Sequence, residues 1–305
     1  MALDRAQPLG ESQQGLLRRL AIILWRRPAL SASALLAWPM GWLVLIYLAA
    51  LGTLFISAFW SVNDFTGEIV HSWTLDNFRQ LVDSSVYPHI ALRTIGIAIA
   101  VTLTDIVLAF PLAYFMARIA GPRLRAALFA MVLLPLWSSY LARVYAWRLI
   151  LSHDGVLNWF LLELGLPRAH IGYTNWAMWI VFSYIWLPFM VMPIYAAIER
   201  IPGSFLEASQ DLGGRGLRTL RKVILPLAMP GVIAGSIFTF SLTLGDYITP
   251  VLVGGPGSNF IGNVVFSNVG IANNIPFAAA FATVPLVVMA IYLSIARRLG
   301  AFEMM

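Results

Sequence analysis

The sequence has no cysteine, a single lysine and only 11% charged residues among its 305. Without cysteine, the chain has no disulfide framework, no thiolate nucleophile and no cysteine-ligated metal. The one lysine, Lys222, lies in Arg-Lys-Val-Ile-Leu, so the chain lacks a Gly-x-x-x-x-Gly-Lys-Ser/Thr phosphate loop. These absences exclude thiol chemistry, and they exclude ATP hydrolysis by a phosphate-loop mechanism in this chain.

Histidine is also scarce, and its spacing does not fit a metal centre. The four histidines are His71, His89, His153 and His170, and none belongs to a His-Glu-x-x-His or similar pattern. We therefore predict loop positions for them, no metal site and no enzyme activity, because a membrane enzyme would need a nucleophile or metal constellation. The formal net charge is +6. The basic residues flank apolar runs, however, so we predict contact with membrane lipid and no nucleic-acid partner.

Apolar residues dominate what the sequence does contain. The chain is 60% hydrophobic with a mean hydropathy of +0.80, which is too apolar for a soluble globule of this size. A helix needs about 20 predominantly apolar residues to cross the hydrocarbon core. Six segments qualify, namely 35–60, 90–117, 126–151, one within 171–198, 227–253 and 276–296. We predict an all-α polytopic membrane protein with six transmembrane helices.

The basic residues are distributed unevenly about these spans. Fifteen of the 20 lie in the N-terminal arm, the loop between spans two and three, the segment after span four and the C-terminal tail. Because cytoplasmic loops carry an excess of Lys and Arg, both termini are predicted to be cytoplasmic. The predicted domains are a cytoplasmic N-terminal arm, 1–34, and a six-helix transmembrane domain, 35–298. The first apolar run is too long for a cleavable signal peptide and is expected to remain as an anchor.

The segment "EASQDLGGRGLRTLRKVILPLAMPG", which begins at Glu207, packs charged residues between two apolar spans. Pro202 ends span four, Gly213 and Gly214 permit a tight turn, and a basic helix then continues to Pro226. This pattern predicts a helical hairpin within 199–226. Periodicity alone also fits an amphipathic helix that lies on anionic lipid headgroups.

The spacing of this segment resembles the EAA loop of ABC importer permeases. The matching residues are Glu207, Ala208, Gly213, Leu225 and Pro226, while Ser209 replaces the second alanine and Val223 the isoleucine of that pattern. The stretches "SWTLDNFRQL", "LPFMVMPIYAAIERIP", "LPLAMPGVIAG" and "GGPGSNFIGN" resemble the spermidine/putrescine branch of these permeases. The resemblance implies the type I ABC importer permease architecture and a place in the bacterial cytoplasmic (inner) membrane.

The resemblance also implies partners and a function. In that family the EAA loop is a coupling helix that docks in a cleft of the cytoplasmic ATPase, so the implied ATPase-coupling residues are Glu207, Ala208, Ser209, Gly213, Leu225 and Pro226. The implied partners are a second permease subunit, two cytoplasmic ABC ATPase subunits that bind ATP and Mg, and an extracytoplasmic substrate-binding protein. No cofactor is expected in this chain. The implied cargo is a small cationic or amine-bearing solute, with a polyamine such as spermidine or putrescine first. The alternatives are opines, 4-aminobutyrate-like amino acids and other small solutes.

Polar residues within the predicted spans are candidates for the substrate path. Ionisable side chains are costly in a span and usually face the interior of the bundle, and Asp105 and Asp246 are acids so placed. On span five, Ser236, Thr239, Thr243 and Asp246 lie within about 80° of one another on a helix. One hypothesis is that they form a polar wall of the path. The alternative is that the hydroxyls bond to the helix backbone and that Asp246 is a cap or forms a salt bridge near the outer interface.

Aromatic residues near the span ends carry a second set of hypotheses. The candidates are Trp137, Tyr140, Tyr184, Trp186 and Tyr247. They either contribute cation–π contacts to the path or belong to the aromatic belt at the membrane interface. A rival class remains open, in which the chain is a secondary transporter or channel that uses Asp105 as a proton site. The EAA-like loop argues against that class.

Overall fold

The computed structural model describes residues 28–63 and 65–298, and α-helices dominate them. The helices are α1 (Pro28–Ser57), α2 (Asp76–Asp83), α3 (Val86–Tyr114), α4 (Pro122–Leu133), α5 (Tyr140–Leu151), α6 (Val156–Glu163), α7 (Asn175–Glu199), α8 (Gly203–Asp211), α9 (Leu217–Thr219), α10 (Leu225–Gly245), α11 (Ile248–Val253), α12 (Ile261–Gly270) and α13 (Ile275–Arg298). A short antiparallel ribbon pairs β1, Ser61–Val62, with β2, Ile69–Val70. The predicted all-α class is confirmed, with this ribbon as a small addition.

Helix α1 belongs to a unit of its own, because the chain divides between Ile56 and Ser57. It contains 30 residues, including Pro39, and its large apolar side chains from Leu35 to Leu48 are exposed, as expected of a helix surrounded by lipid. The helix begins at Pro28, before the predicted boundary at residue 35. The predicted arm, 1–34, therefore overlaps α1 at 28–34, and its remainder, 1–27, lies outside the described residues.

Three long helices, α3, α7 and α10, pack together at the centre of the second unit. Two glycines of α10 allow α7 and α10 to approach closely. A Cβ atom on Gly231 would lie 2.5 Å from the carbonyl oxygen of Pro193, and one on Gly235 would lie 2.7 Å from Sδ of Met190. Small residues at such crossings let helix backbones meet inside a membrane, where packing rather than the hydrophobic effect holds helices together.

The third predicted span, 126–151, is not one helix. Helix α4 passes into a 3₁₀ turn, Leu134–Trp137, and α5 restarts at Tyr140, so the two halves meet at an angle of 95°. The break follows from Pro135, which cannot donate to the helix ladder, and from the extended backbone of Ser138 and Ser139. The prediction of a continuous helix here was wrong.

Among the described residues, 28–63 and 65–298, five helical segments are long and apolar enough to cross a membrane, and the count reaches six if the bent pair is one span. The five are Leu35–Ser57, Val86–Ile119, Asn175–Glu199, Leu217–Gly245 and Ile275–Arg298. The fifth predicted span, 227–253, also needs correction, because α10 ends at Gly245 and α11 starts at Ile248. Asp246 lies in the gap, in extended conformation, because its side chain bonds to the next helix.

Candidate functional site

A helical hairpin occupies the segment that the sequence singled out. Pro202 ends α7, because a proline has no N–H and disfavours helical backbone in the residue before it. Helix α8 follows and ends in a turn in which Gly213 has a φ of +76° and Gly216 a φ of +47°. Both values lie in the left-handed region that favours glycine. The chain then returns through α9 and a π-helical turn, Leu220–Ile224, into α10.

Three residues fasten the two arms of the hairpin to each other. The hydroxyl oxygens of Ser209 and Thr219 lie 3.0 Å apart, and the N–H of Gly214 donates to the carbonyl of Ser209 at 2.7 Å. A Cβ atom on Gly214 would lie only 2.4 Å from Oγ of Ser209. The hairpin is therefore a small rigid unit. The family resemblance gives Ser209 only as a replacement for alanine, and the sequence predicts Gly214 only as a turn residue. Nothing in the sequence pattern marks Thr219.

The outer surface of the hairpin is exposed, and it is both apolar and charged. Glu207 and Ala208 are exposed on α8, and Leu212 and Leu217 on either side of the turn are 87% and 67% exposed. Leu225 and Pro226, at the start of α10, are also exposed. Exposed leucines at the tip of a rigid hairpin are typical of a surface that another protein covers.

A second feature is a cavity of about 300 Å³ at the end of α10. It is lined by Tyr140, Trp186, Ser241, Leu242, Gly245, Asp246, Tyr247 and Ile248. The structure thus brings together three of the predicted path residues, Trp186, Asp246 and Tyr247, with the aromatic candidate Tyr140. The rings of Tyr140 and Trp186 are stacked, with centroids 5.8 Å apart and planes at 14°.

Asp246 is held on the cavity wall by its own chain. Its Oδ1 accepts the N–H groups of Ile248 and Thr249 at 2.8 and 2.9 Å, so the carboxylate caps the first turn of α11. Its Oδ2 accepts the Tyr140 hydroxyl, which also lies 2.7 Å from Oγ1 of Thr249. These contacts agree with the alternative in which Asp246 caps a helix. It leaves the carboxylate, 9% exposed, beside the cavity.

Asp246 has no ion-pair partner in the part of the chain that the structure describes. Among residues 28–63 and 65–298, the ion pairs join Arg79 to Asp76, Arg125 to Glu199 and Arg168 to Asp154, while Nδ1 of His153 lies 3.1 Å from Oδ1 of Asp154. Arg143 lies over the ring of Tyr140, with Cζ 5.9 Å from the centroid, but it does not line the cavity. The cavity wall therefore combines one carboxylate with aromatic rings.

Helix α12 supports this wall from behind. The side-chain amide of Asn263 donates to the carbonyl of Tyr247 at 2.6 Å, and the ring of Phe266 stacks on Tyr247 with centroids 4.6 Å apart. A Cβ atom on Gly262 would lie 2.8 Å from the carbonyl oxygen of Asp246. Sequence reasoning missed Asn263, Gly262 and Phe266, because α12 comes after the predicted fifth span and nothing in its pattern marks it as a support.

The other members of the predicted stripe do not line the cavity. Thr239 and Thr243 are fully buried and donate to backbone carbonyls one turn earlier, Gly235 and Thr239. Ser236 bonds to the carbonyl of Ile233 and lies 2.6 Å from the hydroxyl of Tyr292 on α13. These hydroxyls face the packed interior of the chain, as the backbone-bonding alternative predicts, and Asp246 is not on the same helix.

Three further candidates lie elsewhere. Asp105 is 0% exposed inside α3, and neither of its carboxyl oxygens has a hydrogen-bond partner among the described residues. Tyr184 lines a separate apolar cavity of about 340 Å³ with Trp147 and Trp179. Trp137, at the bend between α4 and α5, is 92% exposed. Within the described part of the chain, no group of three or more His, Asp or Glu residues could hold a metal ion.

Comparison with known proteins identifies the class. The chain belongs to the family of binding-protein-dependent transport system inner membrane components, which matches residues 109–301. The inner membrane ABC transporter permease protein YdcU of Escherichia coli K12 is 46% identical over 292 residues, covering 92% of this chain and 93% of that protein. The spermidine/putrescine transport system permease protein PotB of Escherichia coli K12 is 36% identical over 262 residues, covering 83% and 92%.

A solved structure shows the same fold. The bacterial alginate ABC transporter, crystallised with an alginate pentasaccharide-bound periplasmic protein, contains a chain that matches with a TM-score of 0.67. The two chains are 20% identical, and the match covers 92% of this chain and 98% of the other. The protein is therefore an inner-membrane permease subunit of an ABC importer, which confirms the predicted family, fold class and location. It is a transport subunit and not an enzyme.

Proposed function

We propose that this subunit imports a polyamine such as spermidine or putrescine. The observation that carries the proposal is the similarity to PotB over most of both chains, together with a cavity that places a carboxylate among aromatic rings. An ammonium group gains from a nearby carboxylate through a charge-assisted hydrogen bond and from aromatic faces through cation–π attraction. An anion would be repelled at the same wall.

The transporter that we propose contains this chain, a second permease subunit, two cytoplasmic ABC ATPases and an extracytoplasmic substrate-binding protein. ATP and Mg are bound by the ATPases, since this chain has no phosphate loop. The hairpin 203–224 is the ATPase-docking element, with Glu207 and the exposed leucines Leu212 and Leu217 on its contact surface. Both termini then lie on the cytoplasmic side, with the hairpin.

The test is uptake of labelled spermidine by vesicles that contain the complete transporter and are supplied with its binding protein. We expect uptake to require ATP on the cytoplasmic side and to continue when a protonophore collapses the proton gradient. Excess unlabelled putrescine should compete, while excess 4-aminobutyrate should not. Uptake that a protonophore abolishes would instead support a secondary transporter, and competition by 4-aminobutyrate alone would contradict the polyamine assignment.

A further inference from the structure

The end of α7 leaves backbone carbonyls without helical partners. Because Pro202 has no N–H and stops the helix, the last carbonyls of α7 and its cap need donors from outside the helix. The N–H of Arg200 reaches the carbonyl of Ala196, and the N–H of Ile201 reaches that of Ile198 at a long 3.2 Å. The carbonyl of Ile201 itself precedes the proline. This point is the foot of the hairpin, since α8 begins at Gly203.

Arg118 supplies a donor to the carbonyl of Ile201 and a second donor to that of Ile198. It lies on a π-helical turn, Phe115–Ile119, that continues α3. Its Nη2 donates to the carbonyls of Ile198 and Ile201, both at 2.5 Å. A guanidinium at a helix C-terminus also meets the negative end of the helix dipole. The guanidinium therefore joins the end of one membrane-crossing helix directly to the foot of the hairpin on another.

Buried apolar side chains cover part of this contact, and Ile201 and Pro202 also line a cavity of about 520 Å³. Met116 and Ala117, on the same π-helical turn, are buried in one cluster with Ile198 and Ile201. Ile224 belongs to that cluster too, and it ends the second π-helical turn, Leu220–Ile224, at the other foot of the hairpin. A π-helical turn inserts an extra residue into a helix and re-aims the side chains that follow. Both feet of the hairpin thus contribute a residue to the buried cluster that contains the end of α3.

A second link beside Arg118 is weaker. Arg125 reaches Oε1 of Glu199 at 3.6 Å, and the Tyr195 hydroxyl donates to the same oxygen at 2.8 Å. The charged pair is 36% and 49% exposed, and exposed pairs of this kind contribute little because water screens them. Arg118 is the stronger connection because its two acceptors are backbone atoms that cannot rotate away.

From these contacts we infer that Arg118 is a positioning residue that transmits movement of the hairpin to α3, so that ATP hydrolysis drives rearrangement of the transmembrane path. The inference rests on the proposed coupling function of the hairpin. Without the guanidinium, the hairpin still docks and the ATPase still turns over, but the end of α3 no longer follows the foot of the hairpin. The expected defect is loss of coupling rather than loss of ATP hydrolysis.

The test compares Arg118→Gln, Arg118→Lys and the matched control Arg123→Gln in the complete transporter. Arg123 is the second residue of α4, shortly after the turn that carries Arg118, and is exposed. Substrate uptake and ATP hydrolysis stimulated by the binding protein are measured on the same vesicles. For Arg118→Gln we expect uptake to fall about tenfold while hydrolysis stays within about twofold of wild type. The tenfold loss of uptake corresponds to about 1.4 kcal/mol. Arg118→Lys should recover most of the uptake, and Arg123→Gln should match wild type.

Equal losses of uptake and hydrolysis in Arg118→Gln would overturn the inference and show that the contact serves only stability or assembly. Unchanged uptake would overturn it as well. If wild-type vesicles show no stimulated hydrolysis at all, the proposed function fails instead, and the two failures are thereby distinguished.

A distance measurement tests the joint independently of transport. The chain has no cysteine, so spin labels can be placed at Arg123→Cys and Gln210→Cys, two exposed positions on either side of the contact. With Arg118 present, we expect one narrow distance distribution with and without ATP. With Arg118→Gln the distribution should broaden or shift between these states. An unchanged narrow distribution in the variant would contradict a mechanical role for Arg118.

Discussion

The hydroxyl of Tyr140 donates a hydrogen bond to Oδ2 of Asp246, across 106 residues of sequence. Tyr140 is the first residue of α5, directly after the break in the third span, and Asp246 lies in the break between α10 and α11. The contact therefore joins the two places where apolar segments cease to be continuous helices. Irregular backbone at membrane depth is tolerated where protein or a cavity surrounds it, and the cavity lined by Trp186 and Tyr247 lies at this point.

The first prediction concerns the charge of Asp246. Asp246→Asn keeps an oxygen that can cap α11 but removes the negative charge from the cavity wall. If an ammonium group passes this wall, its uptake should fall roughly tenfold, which corresponds to the loss of about 1.4 kcal/mol. The measurement is the initial rate of spermidine uptake at a concentration below saturation.

Tyr140→Phe is the matched control for this change. It removes one hydrogen bond to the carboxylate and keeps both the charge and the stacked ring. Its uptake should therefore exceed that of Asp246→Asn. Wild-type uptake by the Asn variant would assign Asp246 to capping alone, and the amine hypothesis would then depend on similarity to PotB.

The sequence predicted the hairpin better than the cavity, for a physical reason. The hairpin depends on local chemistry, since Pro202 and Gly213 set the backbone around α8 whatever packs near them. The second left-handed glycine of the turn is Gly216 and not the predicted Gly214. The cavity depends on contacts between residues far apart in sequence, such as the bond from Asn263 to Tyr247. Hydrophobic runs predict that a span exists, but they do not show where a long apolar segment bends.

The polar stripe shows the same limit. Helical spacing correctly placed Ser236, Thr239 and Thr243 on one side of α10, but it could not say what that side faces. The hydroxyls satisfy backbone carbonyls within the helix, a choice that a serine or threonine in an apolar segment always has available. Asp246 departs from the stripe because α11 begins shortly after it. The first N–H groups of a helix have no acceptor within that helix, and the Asp246 carboxylate accepts two of them.

A second prediction concerns orientation. With 15 of 20 basic residues on one side, a reporter that is active only in the cytoplasm should work when fused after Met305 or inserted within 213–217. The same reporter should be silent when inserted within 67–72, between the spans that α1 and α3 supply. The opposite pattern would reverse the orientation and remove the hairpin from the reach of a cytoplasmic ATPase.

A third prediction concerns the docking surface. Glu207→Lys reverses a charge on the exposed side of α8, and a reversed charge at an interface costs affinity through repulsion and lost pairing. Uptake and binding-protein-stimulated ATP hydrolysis should both fall at least tenfold, while the subunit still inserts in the membrane. Gln210→Lys is the control, since it adds a charge to an exposed position of the same helix. Equal effects of the two variants would indicate sensitivity to charge in general and would not support a docking role for Glu207.

The last prediction tests whether the hairpin must be rigid. In Gly214→Ala the new Cβ atom would lie 2.4 Å from Oγ of Ser209 and 2.7 Å from its carbonyl oxygen. Relieving such overlap shifts the turn and costs on the order of 1–3 kcal/mol, which should lower stimulated ATP hydrolysis and uptake together. Gly203→Ala is the matched control, because a Cβ atom there meets nothing within 4 Å at the start of the same helix. Adding Ser209→Ala to Gly214→Ala removes Oγ but not the carbonyl, so activity should recover only in part. Full activity of Gly214→Ala alone would show that the ATPase accepts a hairpin of altered shape. It would contradict the idea that the close contact between Gly214 and Ser209 is needed to keep the hairpin rigid.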